Sequence, residues 1–229
     1  TILSTPCGMP DFRPEAVLFD LDGTFADTAP DLGAALNALR DELGLPPTAL
    51  DRLRPYTSQG VRGMLGAGLD MRPEHPDYPL LYRRFLDHYR RALCVHTRLF
   101  DGVAALVDTL ERRHVRWGIV TNKSQRFTLP LLHQLGYARR AACLVSGDSS
   151  PRMKPHPHPM RLACAIVDCD PERTLYVGDD RRDIEAGRAA GLITVAVRYG
   201  YLGDGGPIEA WGADHLVDRP DAIVALLDR

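Results

Sequence analysis

The stretch from Ala16 to Thr24, AVLFDLDGT, constrains this chain more than any other. An apolar run, Ala16 to Phe19, stops at two carboxylates in alternate positions, Asp20 and Asp22, followed by Gly23 and Thr24. A short run with no polar face suits a parallel strand covered by helices on both sides. In open α/β sheets, ligands bind outside the carboxyl ends of such strands. Asp20 therefore stands at the mouth of a site. A carboxylate there costs free energy unless a cation, a hydrogen-bond donor or a substrate compensates it, and two of them ask for a divalent metal. Asp-Gly is also a turn signal and Asp a common helix N-cap, so turn chemistry accounts equally well for this segment taken alone. The rest of the chain has to decide.

Residues 1–14, with three prolines and a glycine, read as a loose leader. After the first strand, Leu32, Leu36, Leu39 and Leu43 recur at helical spacing until Gly44 stops the helix. Residues 45–100 then hold helical pieces between six prolines, with no convincing strand; in one of them Leu81, Phe85, Tyr89 and Leu93 share a face. From Asp101 the pattern alternates. Strands are expected at 116–120, 143–146, 174–177, 194–197 and 215–217, with helices at 102–113, 127–135, 160–167, after Asp183 and at 221–227. Such alternation predicts an α/β fold, a doubly wound, Rossmann-like parallel sheet with a small all-helical domain inserted after the first strand. The expected division is a core of residues 1–26 and 101–229 and a helical domain of residues 27–100.

With 229 residues, 45% hydrophobic and 25% charged, the chain has an ordinary globular composition. A net charge of -2 gives no field to recruit nucleic acid or an anionic membrane, and no apolar run is long enough to cross a bilayer. The start of the chain has no signal-peptide pattern, so a cytoplasmic location is expected. Cys7, Cys94, Cys143, Cys164 and Cys169 are scattered and form no CxxC pair, as reduced thiols do.

Four expected strand ends carry polar residues: Asp20 with Asp22, Thr121 with Asn122, Lys154, and Asp179 with Asp183. In a parallel sheet they converge on one edge. FDLDGT, IVTN, the lysine of RMKPHP and VGDDRRD, in this order, resemble the four signatures of the haloacid dehalogenase superfamily, in its phosphatase branch with a helical cap after the first strand. The resemblance covers nearly the whole chain. It implies that Asp20 is a nucleophile forming an aspartyl-phosphate and that Asp22 is general acid and then general base. It further implies Mg²⁺ held by Asp20, the Asp22 main-chain carbonyl and Asp179. Thr121 and Asn122 would donate to phosphoryl oxygens, with Lys154 supplying positive charge and Gly23 and Thr24 beside the substrate. Asp183 would hold a metal-bound water or orient Lys154. Asp180 would be either a helix N-cap or part of the metal's outer shell. Lys123 and Arg152 carry no such expectation, and His156 and His158, between prolines, read as a rigid loop.

Asp22 argues against a dehalogenase, which needs no acid for a halide leaving group. The runs DTAPDL, RPYTSQG, WGIVTNK, AGRAAG and YGY resemble bacterial phosphoglycolate phosphatases and relatives acting on N-acetylmuramic acid 6-phosphate. The resemblance implies a small phosphorylated metabolite as partner, 2-phosphoglycolate first and N-acetylmuramic acid 6-phosphate as the alternative, for a monomer or homodimer. A β-phosphoglucomutase-like mutase and a non-catalytic phosphate-binding regulator are the other readings. The loop 55–65 is expected to set specificity, with Arg62 meeting a substrate carboxylate or simply facing solvent. Phe25 and Ala26 depart from the usual Leu and Val, and a bulky Phe25 is expected to reshape the site near a hinge.

Overall fold

The structure, a computed structural model, describes residues 13–203 and 205–228. Most of the expected leader, and Cys7 with it, lies outside the described residues. Six parallel strands form the main sheet: β1 (Ala16–Phe19), β4 (Arg116–Val120), β5 (Cys143–Val145), β6 (Thr174–Gly178), β7 (Ile193–Val197) and β8 (His215–Val217), in the spatial order β5-β4-β1-β6-β7-β8. The chain lays down β1, β4 and β5 to one side and then returns to place β6, β7 and β8 on the other. The direction of winding therefore reverses between β1 and β6, and a crevice opens at their carboxyl ends.

Burial explains why β1 has no polar face. Val17 and Phe19 pack into a cluster on one face of the sheet, and Ala16 and Leu18 into a second cluster on the other, as side chains alternating across a strand must. Helices α5 (Val103–Arg112), α6 (Gln125–Leu135), α7 (His158–Val167) and α8 (Arg181–Ala190) alternate with the strands. The final helical segment is a 3₁₀ helix, Pro220–Leu226, instead of the expected α-helix at 221–227.

Between β1 and α5 lie α1 (Ala29–Glu42), α2 (Leu50–Leu53), α3 (Gly60–Leu69) and α4 (Tyr78–Arg91), none of them followed by a strand of the main sheet. Their buried Leu36, Leu39, Met64, Phe85 and Tyr89 join the cluster that holds Val17 and Phe19. The region expected to be free of strands contains one: β3 (Arg98–Leu99) pairs antiparallel with β2 (Ala26–Asp27) where the chain leaves and re-enters the sheet layer. Two residues are too few for periodicity to show. Phe25, beside this pair, turns into the core, stacked on Trp117 at 5.5 Å and edge-on to Phe19 and Tyr137. It is fully buried among these rings. No helix among the described residues is long and apolar enough to cross a membrane.

Candidate active site

The crevice between β1 and β6 gathers charge. Asp20, first residue after β1, and Asp179, first after β6, meet Asp183 from the first turn of α8, and oxygens of the three lie within 4.8 Å of one another. All three are buried. Lys154, 5% exposed, reaches into the same cluster. Its Nζ lies 2.8 Å from Asp20 Oδ1, 2.7 Å from Asp183 Oδ1 and 2.8 Å from Tyr176 Oη. Burial alone would lower the lysine pKa, but Asp183 and Asp20 outweigh it and hold the ammonium charged.

One lysine does not balance three carboxylates. Asp179 is fully buried and, among the described residues, receives only uncharged donors: Thr24 Oγ1 at 2.9 Å, the Tyr201 main-chain N–H at 2.8 Å and Ser58 Oγ at 3.2 Å. Burial first, then the charges of Asp20 and Asp183, push its pKa well above the ordinary carboxylate range. Burial lifts Asp183 as well, against the pull of Lys154. A buried all-oxygen set with surplus negative charge fits a hard divalent cation. Close approach of the chain segments is built in. A Cβ on Gly23, whose φ is +95°, would overlap Asp179 Oδ2, and one on Gly200 would overlap the Asp179 side chain.

Asp22 lies apart from this cluster. Its carboxylate accepts from Thr28 Oγ1 at 2.6 Å and from Lys123 Nζ at 3.0 and 3.1 Å. Lys123, which carries no expectation from the sequence, is buried against Asp22 with its Nζ 4.7 Å from the Tyr89 ring centre. Its position next to Asn122 in IVTNK was the only available signal. Burial opposes its charge, but Asp22 and Tyr89 raise its pKa above the usual lysine value.

The remaining expected residues fall into place unevenly. Thr121 is buried, and its oxygen accepts from the Lys123 N–H at 3.2 Å, which leaves its hydroxyl proton available. Asn122 pairs with the Lys154 backbone in both directions, Nδ2 to the carbonyl at 3.0 Å and N–H to Oδ1 at 2.9 Å, so its amide positions the lysine. Thr24 faces Asp179. Asp180 is the N-cap of α8 in a reciprocal capping box with Asp183. Burial would raise Asp180, but its pair with Arg182 holds it below the usual range. Arg182 also donates to the Ser58 carbonyl at 2.9 Å and so ties α8 to the 3₁₀ helix Arg54–Gln59, which stands before α3 where a loop is expected.

A cavity of about 430 Å³ opens above Asp20. Asp22, Thr121 and Lys154 line its floor, and Tyr82, Leu86, Tyr89 and Phe127 give it an apolar wall. Arg62 lines it too, exposed on α3 and forming no ion pair among the described residues. His156 and His158 are exposed and do not line the cavity.

Comparison with known proteins agrees with this geometry. The chain is 44% identical over 221 residues to the N-acetylmuramic acid 6-phosphate phosphatase of Pseudomonas aeruginosa, covering 96% of this chain and 98% of that protein. It is also 44% identical over 214 residues to a phosphoglycolate phosphatase of Xanthomonas campestris, covering 92% and 95% of the two chains. The crystal structure of a predicted phosphoglycolate phosphatase from Haemophilus somnus superposes with a TM-score of 0.83 at 27% identity, over 96% of this chain and 99% of that one. Residues 17–197, from the second residue of β1 to the last of β7, match the haloacid dehalogenase-like hydrolase family, and the chain belongs to it.

Proposed function

We propose that this protein is a Mg²⁺-dependent phosphomonoester hydrolase that works through an aspartyl-phosphate on Asp20. The observation that carries the reading is the buried cluster of Asp20, Lys154, Asp179 and Asp183 at the floor of a cavity, in a chain whose relatives are phosphatases. Asp20, Asp179 and the Asp22 main-chain carbonyl would hold the ion. When bound, it neutralises the surplus carboxylate charge and lets a phosphate dianion approach.

A carboxylate suffices as nucleophile because phosphoryl transfer depends mainly on positioning and charge stabilisation. In the first half-reaction an Asp20 oxygen bonds to phosphorus as the ester oxygen leaves, and Asp22 gives that oxygen its proton. The products are the free alcohol and the aspartyl-phosphate. In the second, Asp22 takes a proton from water whose oxygen bonds to phosphorus. The Asp20–phosphorus bond breaks, phosphate departs and both aspartates regain their starting forms. The Thr121 hydroxyl donates to a phosphoryl oxygen, and Lys154, held by Asn122, stabilises the charge that develops there.

Residues 27–100 act as a cap over the α/β core, hinged at the β2–β3 pair. The cap contributes Tyr82, Leu86 and Tyr89 to the cavity, so specificity resides there. Between 2-phosphoglycolate and N-acetylmuramic acid 6-phosphate, the volume and the aromatic wall favour the bulkier sugar acid, because pockets of roughly 300–1,000 Å³ suit ligands well above the size of a two-carbon acid. Free thiols at Cys94, Cys143, Cys164 and Cys169 fit work in the cytoplasm.

Phosphate release is the test, measured with Mg²⁺ and with EDTA, on both candidate esters, hexose phosphates and p-nitrophenyl phosphate, with glucose 1-phosphate conversion followed in parallel. The expected result is Mg²⁺-dependent turnover with a preference of about a hundredfold in kcat/KM for the sugar acid phosphate, roughly 2.7 kcal/mol of differential transition-state binding. Isomerisation of glucose 1-phosphate without phosphate release would establish a mutase instead. No turnover of any ester by protein that binds Mg²⁺ would leave a phosphate-binding regulator.

A further inference from the structure

The run Tyr199-Gly200-Tyr201 follows β7 and has no part in the chemistry above. It nevertheless contacts both places where the chain passes between the sheet layer and the helical segment. The Tyr201 phenol oxygen accepts from the Thr28 N–H at 2.7 Å and the Ala29 N–H at 2.9 Å, and it donates to Asp27 Oδ1 at 2.8 Å. A hydroxyl has one proton and two lone pairs, so this one is saturated. The two N–H groups open α1, where the first amides of a helix have no partner within it, and the Thr28 side chain is turned to Asp22. A tyrosine far along the sequence therefore caps α1 where the chain leaves the sheet layer.

The same loop grips the returning strand. Phe100, next after β3, packs 5.2 Å from the Tyr199 ring and 6.2 Å from that of Tyr201. Tyr199 Oη donates to the Thr24 carbonyl at 3.1 Å, and Arg54 sits 5.7 Å over the Tyr201 ring while pairing with Asp27 at 2.8 Å. At its other end the loop is fixed to the acidic cluster, with the Tyr201 N–H on Asp179 Oδ2 and Gly200 closing against the Asp179 side chain.

We infer that Tyr201 is a positioning residue that couples occupancy of the Asp179 site to the geometry of both hinge strands. The inference rests on Asp179 being a Mg²⁺ ligand as proposed above. Asp179 Oδ2 already accepts from Tyr201 and Ser58, so a cation drawing on that carboxylate shifts both donors. The Tyr201 backbone and phenol pass the shift to Thr28 and Ala29, and packed interfaces turn small displacements into discrete rearrangements. Coupling of this kind is reciprocal, so a change at the hinge alters Mg²⁺ affinity by the same factor.

Calorimetric Mg²⁺ titration and amide hydrogen exchange with and without Mg²⁺, on wild type, Tyr201→Phe and Asp27→Ala, test this. In wild type, Mg²⁺ is expected to change exchange at residues 26–29 and 98–100 by at least about fivefold. Tyr201→Phe keeps the ring and removes the phenol oxygen. It is expected to bind Mg²⁺ with altered affinity and to lose the response at the hinge. Asp27→Ala, at a partly exposed site, frees the phenol proton and gives the same reading if Tyr201→Phe does not fold. Mg²⁺ binding by wild type with no hinge response, or with a response equal in the variants, overturns the inference alone. No Mg²⁺ binding by wild type overturns the metal reading and the inference with it.

Discussion

Lys123 Nζ lies 3.0 Å from Asp22 Oδ1 and 3.1 Å from Asp22 Oδ2, and 4.7 Å from the ring centre of Tyr89 from α4. The residue proposed to move protons is thus oriented by a buried ammonium that itself rests on the helical segment. Thr28 fixes the same Asp22 oxygen, so the carboxylate keeps one partner if the lysine is lost.

Lys123→Met should therefore fold and lose catalysis selectively. An alkyl ester needs a proton on its leaving oxygen, whereas p-nitrophenolate departs without one. Because kcat/KM reports the steps up to the first irreversible one, the variant should lose about 10–100-fold in kcat/KM for an alkyl phosphate and clearly less for p-nitrophenyl phosphate. Equal losses on the two substrates would mean that Lys123 acts on the phosphoryl group and not through Asp22.

Arg62 gives a complementary expectation about specificity. It lines the cavity from α3 and is exposed, so Arg62→Ala should change stability by less than about 0.5 kcal/mol. A charge-assisted bond to a substrate carboxylate is worth about 1.5–3 kcal/mol, and exposure puts this one at the low end, so KM for a carboxylated ester should rise about tenfold. KM for p-nitrophenyl phosphate should stay put. Matched changes would show that the guanidinium attracts the phosphate in general.

The fold was legible because its evidence is local. The apolar run Ala16–Phe19 and the alternation after Asp101 each follow from burial on both faces of a sheet, and neighbouring residues suffice to show it. The acidic cluster was legible for a related reason: parallel strands bring Asp20 and Asp179 to one edge whatever their separation in sequence. Contacts that depend on the path of the chain were not. Nothing near Tyr201 in sequence indicates that its phenol caps α1, and nothing near Ser58 indicates Asp179 as its partner. Phe25 is a further case: its neighbours in sequence do not indicate that its ring packs against Trp117 and Tyr137, where a ring of that size is buried favourably.

Lys154 carries the heaviest electrostatic duty in the cluster. Removing one partner of a buried ion pair leaves the others uncompensated and costs about 3–5 kcal/mol. Lys154→Met should therefore destabilise the metal-free protein by about that amount at neutral pH, read by urea denaturation. Mg²⁺ should restore part of the loss, since a divalent cation compensates the same carboxylates. A variant as stable as wild type in EDTA would show that Asp20 and Asp183 do not rely on the lysine for their charge.

The raised pKa of Asp179 fixes how stability depends on pH and metal. Burial, reinforced by Asp20 and Asp183, makes the folded protein hold this proton more tightly than the unfolded chain, whose carboxylates titrate near their ordinary value of about 4. Between that value and the raised one, the folded state binds more protons, so metal-free stability is full at the acid end of the window and falls as pH rises through it. A cation at Asp179, as proposed, would replace the proton and remove the penalty. Thermal unfolding in EDTA should thus show a lower Tm at pH 8 than at pH 5 on account of this group. Mg²⁺ at about 100 times its Kd, worth about 2.7 kcal/mol, should raise Tm at pH 8 by about 5–10 °C and at pH 5 by much less. A Mg²⁺ shift of the same size at both pH values would mean that the ion does not compete with the Asp179 proton, and the ligand set would have to be sought elsewhere.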